Sequence, residues 1–221
     1  MAIYSVSKSF DWRGIITDKV AAVMRMFGLS VERLAETAVA HSCRLEINDG
    51  DIVYITGPSG AGKSVLLAEL GKSIPASDRV NLARIELPSD KALIDCIDGD
   101  FLTGLRLLSI AGLNDVFCVL NRPANLSDGQ KYRFRLAMAL AAGKKYIFAD
   151  EFCSELDRIT AAVVAYNIHK FAKRTGVTFI LAGSHEDILL DLAPDVLVEL
   201  ELSGSTEIIY KRRAAHEKDD S

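Results

Sequence analysis

The segment GPSGAGKS, which runs from Gly57 to Ser64, constrains the fold of this chain more than any other part of the sequence. It follows the almost entirely apolar run IVYIT (52–56), which is typical of a strand covered on both faces. The run VLLAELGKSI (65–74) comes after it and has the composition of a helix. Glycines let a loop curl until successive backbone N–H groups point at one anion, and the positive end of a helix attracts the same anion. The segment therefore predicts a strand, a phosphate-binding loop and a helix.

This loop matches G-x-x-x-x-G-K-[ST] at every fixed position. Lys63 is expected to reach the β- and γ-phosphates of a nucleotide such as ATP, and the Ser64 hydroxyl is expected to bind Mg²⁺. The residues predicted to contact the nucleotide are those of the loop and the position after it: Gly57, Pro58, Ser59, Gly60, Ala61, Gly62, Lys63, Ser64 and Val65. The loop alone does not separate an ATPase from a small-molecule kinase.

A second motif, Asp150-Glu151, follows the apolar strand YIFA (146–149). In a parallel sheet, carboxylates at the carboxyl end of a strand lie beside the phosphate loop. Asp150 is therefore expected to hold the Mg²⁺ ion. Glu151 is expected to accept a proton from an attacking water.

Strand-like and helix-like segments alternate along most of the chain, which predicts an α/β domain with a mostly parallel sheet. The run 2–10 alternates apolar and polar residues and suits an edge strand. Residues 43–56 are predicted to form a hairpin-like pair of strands, and 79–87 a further strand. Residues 89–122 are predicted to be mostly helical.

The segment 15–40 also has a helical pattern. Its apolar side chains recur at helical spacing and are predicted to pack into the core: Ile16, Val20, Val23, Met24 and Phe27. A surface for a partner is the alternative interpretation of this stripe.

Composition and net charge restrict the partners and the cellular compartment that are expected for the chain. The net charge of −4 over 221 residues argues against nucleic acid as a partner. Four scattered cysteines without a CxxC pair, and the lack of a secretory signal, indicate a cytoplasmic chain with reduced thiols. No run approaches the ~20 apolar residues of a membrane-spanning helix, so direct membrane insertion is not expected.

Further motifs give the chain a specific resemblance. Leu126–Gln130 (LSDGQ) is similar to the LSGGQ signature of the ABC-type ATPases, and Ser127 lies 23 residues before Asp150, as in that family. Arg133 matches the arginine that follows the signature. Residues 154–157 (SELD) resemble the family's D-loop, and His185 follows a strand where the family places its switch histidine.

The resemblance implies a fold, a mechanism and a partner. The fold is a P-loop NTPase of ABC type, with an antiparallel β edge and a short helical subdomain. Two copies of the chain would enclose ATP and Mg²⁺ between them. Ser127, Gly129 and Gln130 would close over the nucleotide of the second copy, and Asp157 would cross the interface. His185 would touch the γ-phosphate and orient the water.

The chain departs from the family at several positions. Transporter ATPases carry a glutamine between the P-loop and the signature, whereas Gln130 is the only glutamine here. Glu86 and Asp90 are both open as substitutes. The proline usual after the catalytic glutamate is Phe152, and Asp128 replaces a signature glycine.

The aromatic residue that stacks on adenine normally lies upstream of the P-loop in this family. Phe10 is the leading candidate, and Tyr4 and His41 remain alternatives.

These departures make the chain most similar to a soluble branch of the family that is found fused to predicted acetyltransferase domains. The expected function is an ATP-hydrolysing dimer that regulates or remodels an unidentified protein partner. The alternative is the energising subunit of a membrane transporter. The expected layout is an N-terminal extension (1–42), the ATPase domain (43–210, with its helical subdomain at about 89–140) and a charged tail (211–221).

Overall fold

The computed structural model describes residues 2–9, 15–31 and 40–211. The strands are β1 (Ala2–Ser9), β2 (Ala40–Ile47), β3 (Ile52–Thr56), β4 (Arg79–Asn81), β5 (Tyr146–Ala149), β6 (Thr178–Ala182), β7 (Val196–Leu200) and β8 (Thr206–Tyr210). The α-helices are α1 (Asp18–Met26), α2 (Lys63–Lys72), α3 (Phe101–Ile110), α4 (Val116–Val119), α5 (Asp128–Ala141), α6 (Arg158–Thr175) and α7 (Leu189–Leu192).

Six strands form one sheet in the order β4-β5-β6-β3-β7-β8. All neighbours in it are parallel except β8, which is antiparallel to β7. The prediction of an α/β fold with a mostly parallel sheet and an antiparallel edge is thus confirmed. Because parallel strands end at the same edge, the segments that follow β3, β5 and β6 meet there.

The core has two layers because the sheet is covered on both faces. In β3, Ile52 and Tyr54 belong to the cluster that includes Phe134 and Phe179. Val53 and Ile55 belong to the cluster on the other face. All five β3 residues are buried, as the apolar run predicts.

The predicted hairpin over 43–56 is wrong. β2 pairs with β1 in an antiparallel ribbon, in which Ala2 lies opposite Ile47. A turn separates β2 from β3, and within it the Asp51 carboxylate accepts the Asn48 N–H at 2.7 Å. β3 instead enters the parallel sheet between β6 and β7, where both of its apolar faces are covered.

The strand predicted over 79–87 is shorter than expected. It covers Arg79–Asn81, and a 3₁₀ turn, Leu82–Arg84, follows it. The Asn81 side chain accepts the Ala83 N–H at 2.9 Å and so stabilises the turn that ends the strand.

The prediction that the α1 stripe packs into the core is also wrong for the residues that the structure describes. No residue of α1 is buried, and Met26 and Phe27 are 79% and 68% exposed. Helical periodicity shows that one face is apolar but not which surface covers it.

The region between the P-loop and the signature is largely helical. A 3₁₀ turn (Leu93–Cys96) precedes α3 and α4, and another 3₁₀ turn (Pro123–Asn125) leads to α5. Asp100 and Asp115 cap α3 and α4 by accepting their first free N–H groups. None of the helices within the described ranges has the length and apolar character needed to cross a membrane.

Candidate functional site

A cavity of about 530 Å³ opens at the carboxyl edge of the sheet. Its lining comes from the P-loop, the end of β5 and the end of β6: Ser59, Gly60, Gly62, Lys63, Ser64, Val65, Asp150, Glu151, Ser154, Gly183, Ser184 and His185. The cavity therefore brings together the phosphate loop, both carboxylates and the histidine that the sequence singles out.

The P-loop holds a cation above its own backbone. Lys63 Nζ donates to the carbonyl oxygens of Gly57 and Pro58, at 2.7 and 3.0 Å. Gly62 precedes α2 with φ +91°, a left-handed conformation that glycine adopts without strain. The first N–H groups of α2 have no partner within the helix and can bind an anion.

Gly57 is required by packing as well as by its φ of +137°. A Cβ atom at this position would lie 2.2 Å from the Leu200 carbonyl oxygen on β7, whereas one at Gly60 would meet only the Leu202 side chain at 4.0 Å.

Gly57→Ala is expected to lower the free energy of unfolding by about 2–4 kcal/mol. Gly60→Ala is the matched control, with an expected loss of about 1 kcal/mol. Urea unfolding of both variants measures the difference, and equal losses would contradict the packing argument.

The turn after β5 comprises Asp150 to Cys153. Asp150 Oδ1 accepts the Glu151 N–H at 3.0 Å. Glu151 has φ +49° and Cys153 has φ +63°, both in the left-handed region. Such residues persist only where neighbours hold them. The Phe152 N–H donates to the Ala182 carbonyl at 2.7 Å, so this turn is fixed to β6.

A second contact ties the turn to the signature helix. The Cys153 N–H donates to the hydroxyl oxygen of Tyr132, on α5, at 3.0 Å. Burial raises the pKa of both the Tyr132 hydroxyl and the Cys153 thiol, so both groups stay neutral. The turn that carries Glu151 is therefore anchored to β6 and to α5.

The Phe152 side chain anchors the turn in the core. Phe152 occupies the position at which the ABC family usually has proline. Its side chain is fully buried in the core, whereas Phe117 on α4 is 84% exposed. Phe152→Ala is expected to lower the free energy of unfolding by about 3–5 kcal/mol. The control Phe117→Ala is expected to change it by less than about 0.5 kcal/mol. Guanidinium unfolding checks both, and a small effect at Phe152 would contradict its anchoring role.

His185 faces the cavity from the segment after β6. Its side chain is 43% exposed, and its Nδ1 atom lies 3.8 Å from Asp187 Oδ1. Asp187 is itself paired with Arg158, at 2.9 Å. The imidazole is thus open to a group bound in the cavity.

The predicted signature residues do not line this cavity. Ser127 Oγ accepts the Gln130 N–H at 3.3 Å, and Gln130 Oε1 accepts the Ser127 N–H at 3.0 Å. Together they form a capping box at the start of α5. A Cβ atom at Gly129 would lie 3.1 Å from the Glu155 carbonyl oxygen, so this glycine allows close packing against the D-loop.

The Asp128 carboxylate points to solvent. Its side chain is 89% exposed and lies 3.5 Å from Lys131. An acidic residue in the first turn of a helix interacts favourably with the helix dipole.

Asp157 also lies outside the cavity lining, at the start of α6. Its carboxylate accepts N–H groups from Ile159 and Thr160, and the Thr160 hydroxyl at 2.6 Å. These hydrogen bonds, above all that from the Thr160 hydroxyl, lower the pKa of Asp157. The predicted D-loop residue is a helix cap within its own chain.

Two cavity residues, Gly183 and Ser184, were not singled out from the sequence, and Ser154 was placed in the D-loop but not assigned to the site. Gly183 and Ser184 could have been found because they directly follow the apolar strand VTFILA. Glu86 and Asp90, both considered as substitutes for the missing glutamine, are not among the lining residues.

The adenine-stacking position is only partly described. Phe10 lies outside the described residues, as does the side chain of His41. Tyr4 donates its hydroxyl to that of Tyr146 at 3.2 Å. Tyr146 begins β5, whose other end leads to the cavity, so Tyr4 lies at the opposite edge of the sheet.

The cavity fits Mg²⁺ bound together with phosphate. Among the residues that the structure describes, no group of three or more His, Cys, Asp or Glu side chains could hold a metal ion. Mg²⁺ is usually held by one or two carboxylates together with nucleotide phosphates and water. Ser64 and Asp150, which both line the cavity, match that requirement.

Similar sequences are ATP-binding proteins. The chain matches no protein-family model. It is 30% identical to the methionine import ATP-binding protein MetN of Mannheimia succiniciproducens, with 75% of this chain and 59% of the relative covered. MetN of Streptococcus agalactiae is also 30% identical, with coverages of 70% and 54%. The chain thus spans less than two thirds of the length of these curated relatives.

Solved structures share the fold. The ATP-binding cassette MJ0796, in a dimeric post-hydrolysis state bound to ADP and Pi, has a TM-score of 0.63 at 19% identity, with 79% of this chain and 93% of that chain covered. CbiO1 from Clostridium perfringens, part of an ABC transporter complex, has a TM-score of 0.59 at 17% identity, with 78% and 80% covered. The fold of the chain is therefore that of an ABC-type nucleotide-binding domain.

Proposed function

We propose that the chain binds ATP with Mg²⁺ and hydrolyses it. The observation that carries this proposal is the convergence of Lys63, Glu151 and His185 on one cavity beside the P-loop. Phosphoryl transfer needs mainly positioning and charge stabilisation, and these three side chains supply both.

Each residue has a task in the proposed reaction. The Lys63 ammonium neutralises the β- and γ-phosphates. Ser64 and Asp150 would hold Mg²⁺, which would supply further positive charge to the phosphates. Glu151 takes a proton from the attacking water. His185 donates a hydrogen bond to the γ-phosphate and orients that water.

Two copies of the chain are needed for a complete site. Ser127 and Gly129 begin α5 and do not line the cavity of their own chain. Ser127 is exposed, so it can reach the nucleotide of a second copy. The dimeric state of the structural relative MJ0796 supports an ATP-sandwiched homodimer.

The names of the relatives favour the energising subunit of a membrane transporter over a free-standing regulator. MetN is named as an import protein, and CbiO1 as part of a transporter complex. In that role the chain lies at the cytoplasmic face of the membrane, and a separate subunit spans the bilayer.

A soluble regulator is the second candidate, because the chain lacks a glutamine between the P-loop and the signature. Neither Glu86 nor Asp90 takes its place in the cavity lining. The likeness to the acetyltransferase-fused branch stays a prediction.

Phosphate release by the purified chain, with and without Mg²⁺, tests the proposed activity. Cross-linking of the tagged chain in cells, followed by separation of membranes, tests whether the chain works in a membrane complex or in the soluble fraction. Recovery in a defined complex with a multi-span protein supports the transporter role. Recovery only from the soluble fraction supports the regulator, and no Mg²⁺-dependent phosphate release would overturn the ATPase proposal.

A further inference from the structure

Tyr54 joins β3, the strand before the P-loop, to the switch segment, which comprises residues 183–185 after β6. It lies in the middle of β3, three residues before Gly57, and its side chain is fully buried. Its hydroxyl donates to the backbone carbonyl of His185 at 3.0 Å. The contact spans 131 positions of sequence and reaches the residue that faces the proposed γ-phosphate.

Gly183 makes the contact possible. A Cβ atom at this position would lie 2.6 Å from the Tyr54 hydroxyl oxygen and 3.3 Å from the ring carbon that carries it. The Gly183 N–H donates to the Ile55 carbonyl at 3.0 Å. The switch segment is therefore held by β3 at two points, one on each side of Ser184.

Packing alone does not account for a tyrosine at this place. Phenylalanine would fill the same apolar volume without bringing a polar hydroxyl into the core, which is costly unless a hydrogen bond satisfies it. Burial raises the pKa of the Tyr54 hydroxyl, so it remains a neutral donor. The hydroxyl has one described acceptor, and that acceptor is the backbone of His185.

The His185 side chain has little else to fix it. Among the described residues its recorded ionic contact is Asp187, at 3.8 Å, which is longer than a hydrogen bond. The direction of the imidazole therefore depends on the backbone that carries it.

We infer that Tyr54 is a positioning residue, whose hydroxyl sets the backbone of His185 so that the imidazole faces the γ-phosphate. This inference rests on the proposed ATP hydrolysis. Tyr54 does not line the cavity and acts through His185. It also links the strand that carries the P-loop to the residue that senses the phosphate.

Tyr54→Phe is expected to lower kcat for ATP hydrolysis about tenfold and to leave KM for ATP within about twofold, since removing one transition-state contact costs rate rather than binding. Tyr146→Phe is the matched control. It removes a tyrosine hydroxyl at the far end of β5, where the recorded partner is Tyr4, and kcat should not change. Thermal unfolding of both variants shows whether a general loss of stability explains the result.

A double-mutant cycle gives a sharper test. Gly183→Ala places a methyl group against the Tyr54 hydroxyl, so it is expected to lower kcat strongly in the native background. In the Tyr54→Phe background the hydroxyl is gone, and the further loss from Gly183→Ala should be several-fold smaller. If the two substitutions lower kcat by factors that simply multiply in the double variant, the proposed contact is wrong.

A readout without turnover separates this inference from the proposed function. The imidazole NMR resonances of His185, assigned with a His185→Gln variant, are expected to shift in Tyr54→Phe and not in Tyr146→Phe. If the native chain does not hydrolyse ATP, the proposed function fails while these resonances still test the Tyr54 contact. If it hydrolyses ATP but Tyr54→Phe keeps native kcat and native His185 resonances, the positioning role is wrong.

Discussion

Lys63→Ala is expected to remove ATP turnover, with a fall in kcat/KM on the order of 10²–10³-fold or more. The ammonium lies over the P-loop, 2.7 Å from the Gly57 carbonyl oxygen, and lines the cavity. It is the cation placed to meet the β- and γ-phosphates, whose charge builds up in the transition state. Alanine at this position leaves those phosphates with the backbone N–H groups and Mg²⁺ alone.

The matched control is Lys72→Ala, at the other end of the same helix. The Lys72 ammonium pairs with Glu69 at 2.8 Å and does not line the cavity. Both variants delete one positive charge from α2, so a general effect of charge would appear in both. Phosphate release and the binding of a fluorescent ATP analogue, measured side by side, distinguish turnover from affinity. Native turnover by Lys63→Ala would remove the site assignment.

The parts of the site that the sequence could predict are those specified by short, contiguous motifs. The P-loop and the Asp150-Glu151 pair each follow a buried strand, and parallel strands end at one edge. That geometry alone brings Lys63 and Glu151 to the same cavity. His185 follows β6, and it was predicted through family resemblance rather than local chemistry.

The parts that could not be predicted depend on contacts between distant segments. The pairing of β2 with β1 instead of β3 is decided by burial of both faces of β3, which the local turn signal does not contain. The Tyr54 hydroxyl finds its acceptor 131 positions away. The α1 stripe has the period of a core helix, yet none of its residues is buried among the described parts of the chain.

The signature residues also have a structural role at the start of a helix in their own chain. The pattern Ser127-x-x-Gln130 is a capping box in its own right, and the structure forms both of its hydrogen bonds. Asp157 is likewise a helix cap. These residues stabilise helix ends within one chain, and the proposed contacts with a second copy use the same exposed helix ends.

Glu151→Gln is expected to keep ATP binding and to lower kcat by about 10²–10⁴-fold, because glutamine has nearly the same shape but does not accept the proton of the attacking water. The side chain is exposed to the cavity, while the backbone on either side is held by Asp150 and by Phe152. An isosteric change should therefore preserve the left-handed turn. The variant should collect in the state before hydrolysis.

That state is the proposed ATP-sandwiched dimer, so Mg-ATP should double the mass of Glu151→Gln in light scattering. The control Glu207→Gln changes an exposed carboxylate on β8 and should keep native turnover without a stable dimer. A variant that binds ATP and stays monomeric would mean that another protein supplies the facing signature, which contradicts a homodimer. Native turnover by Glu151→Gln would exclude Glu151 as the general base.

The dependence of the dimer on the nucleotide is a separate observation. A dimer that forms with Mg-ATP and dissociates with ADP would show that the exposed start of α5 contacts the γ-phosphate bound by the second copy. Hydrolysis would then set how long the two copies stay together.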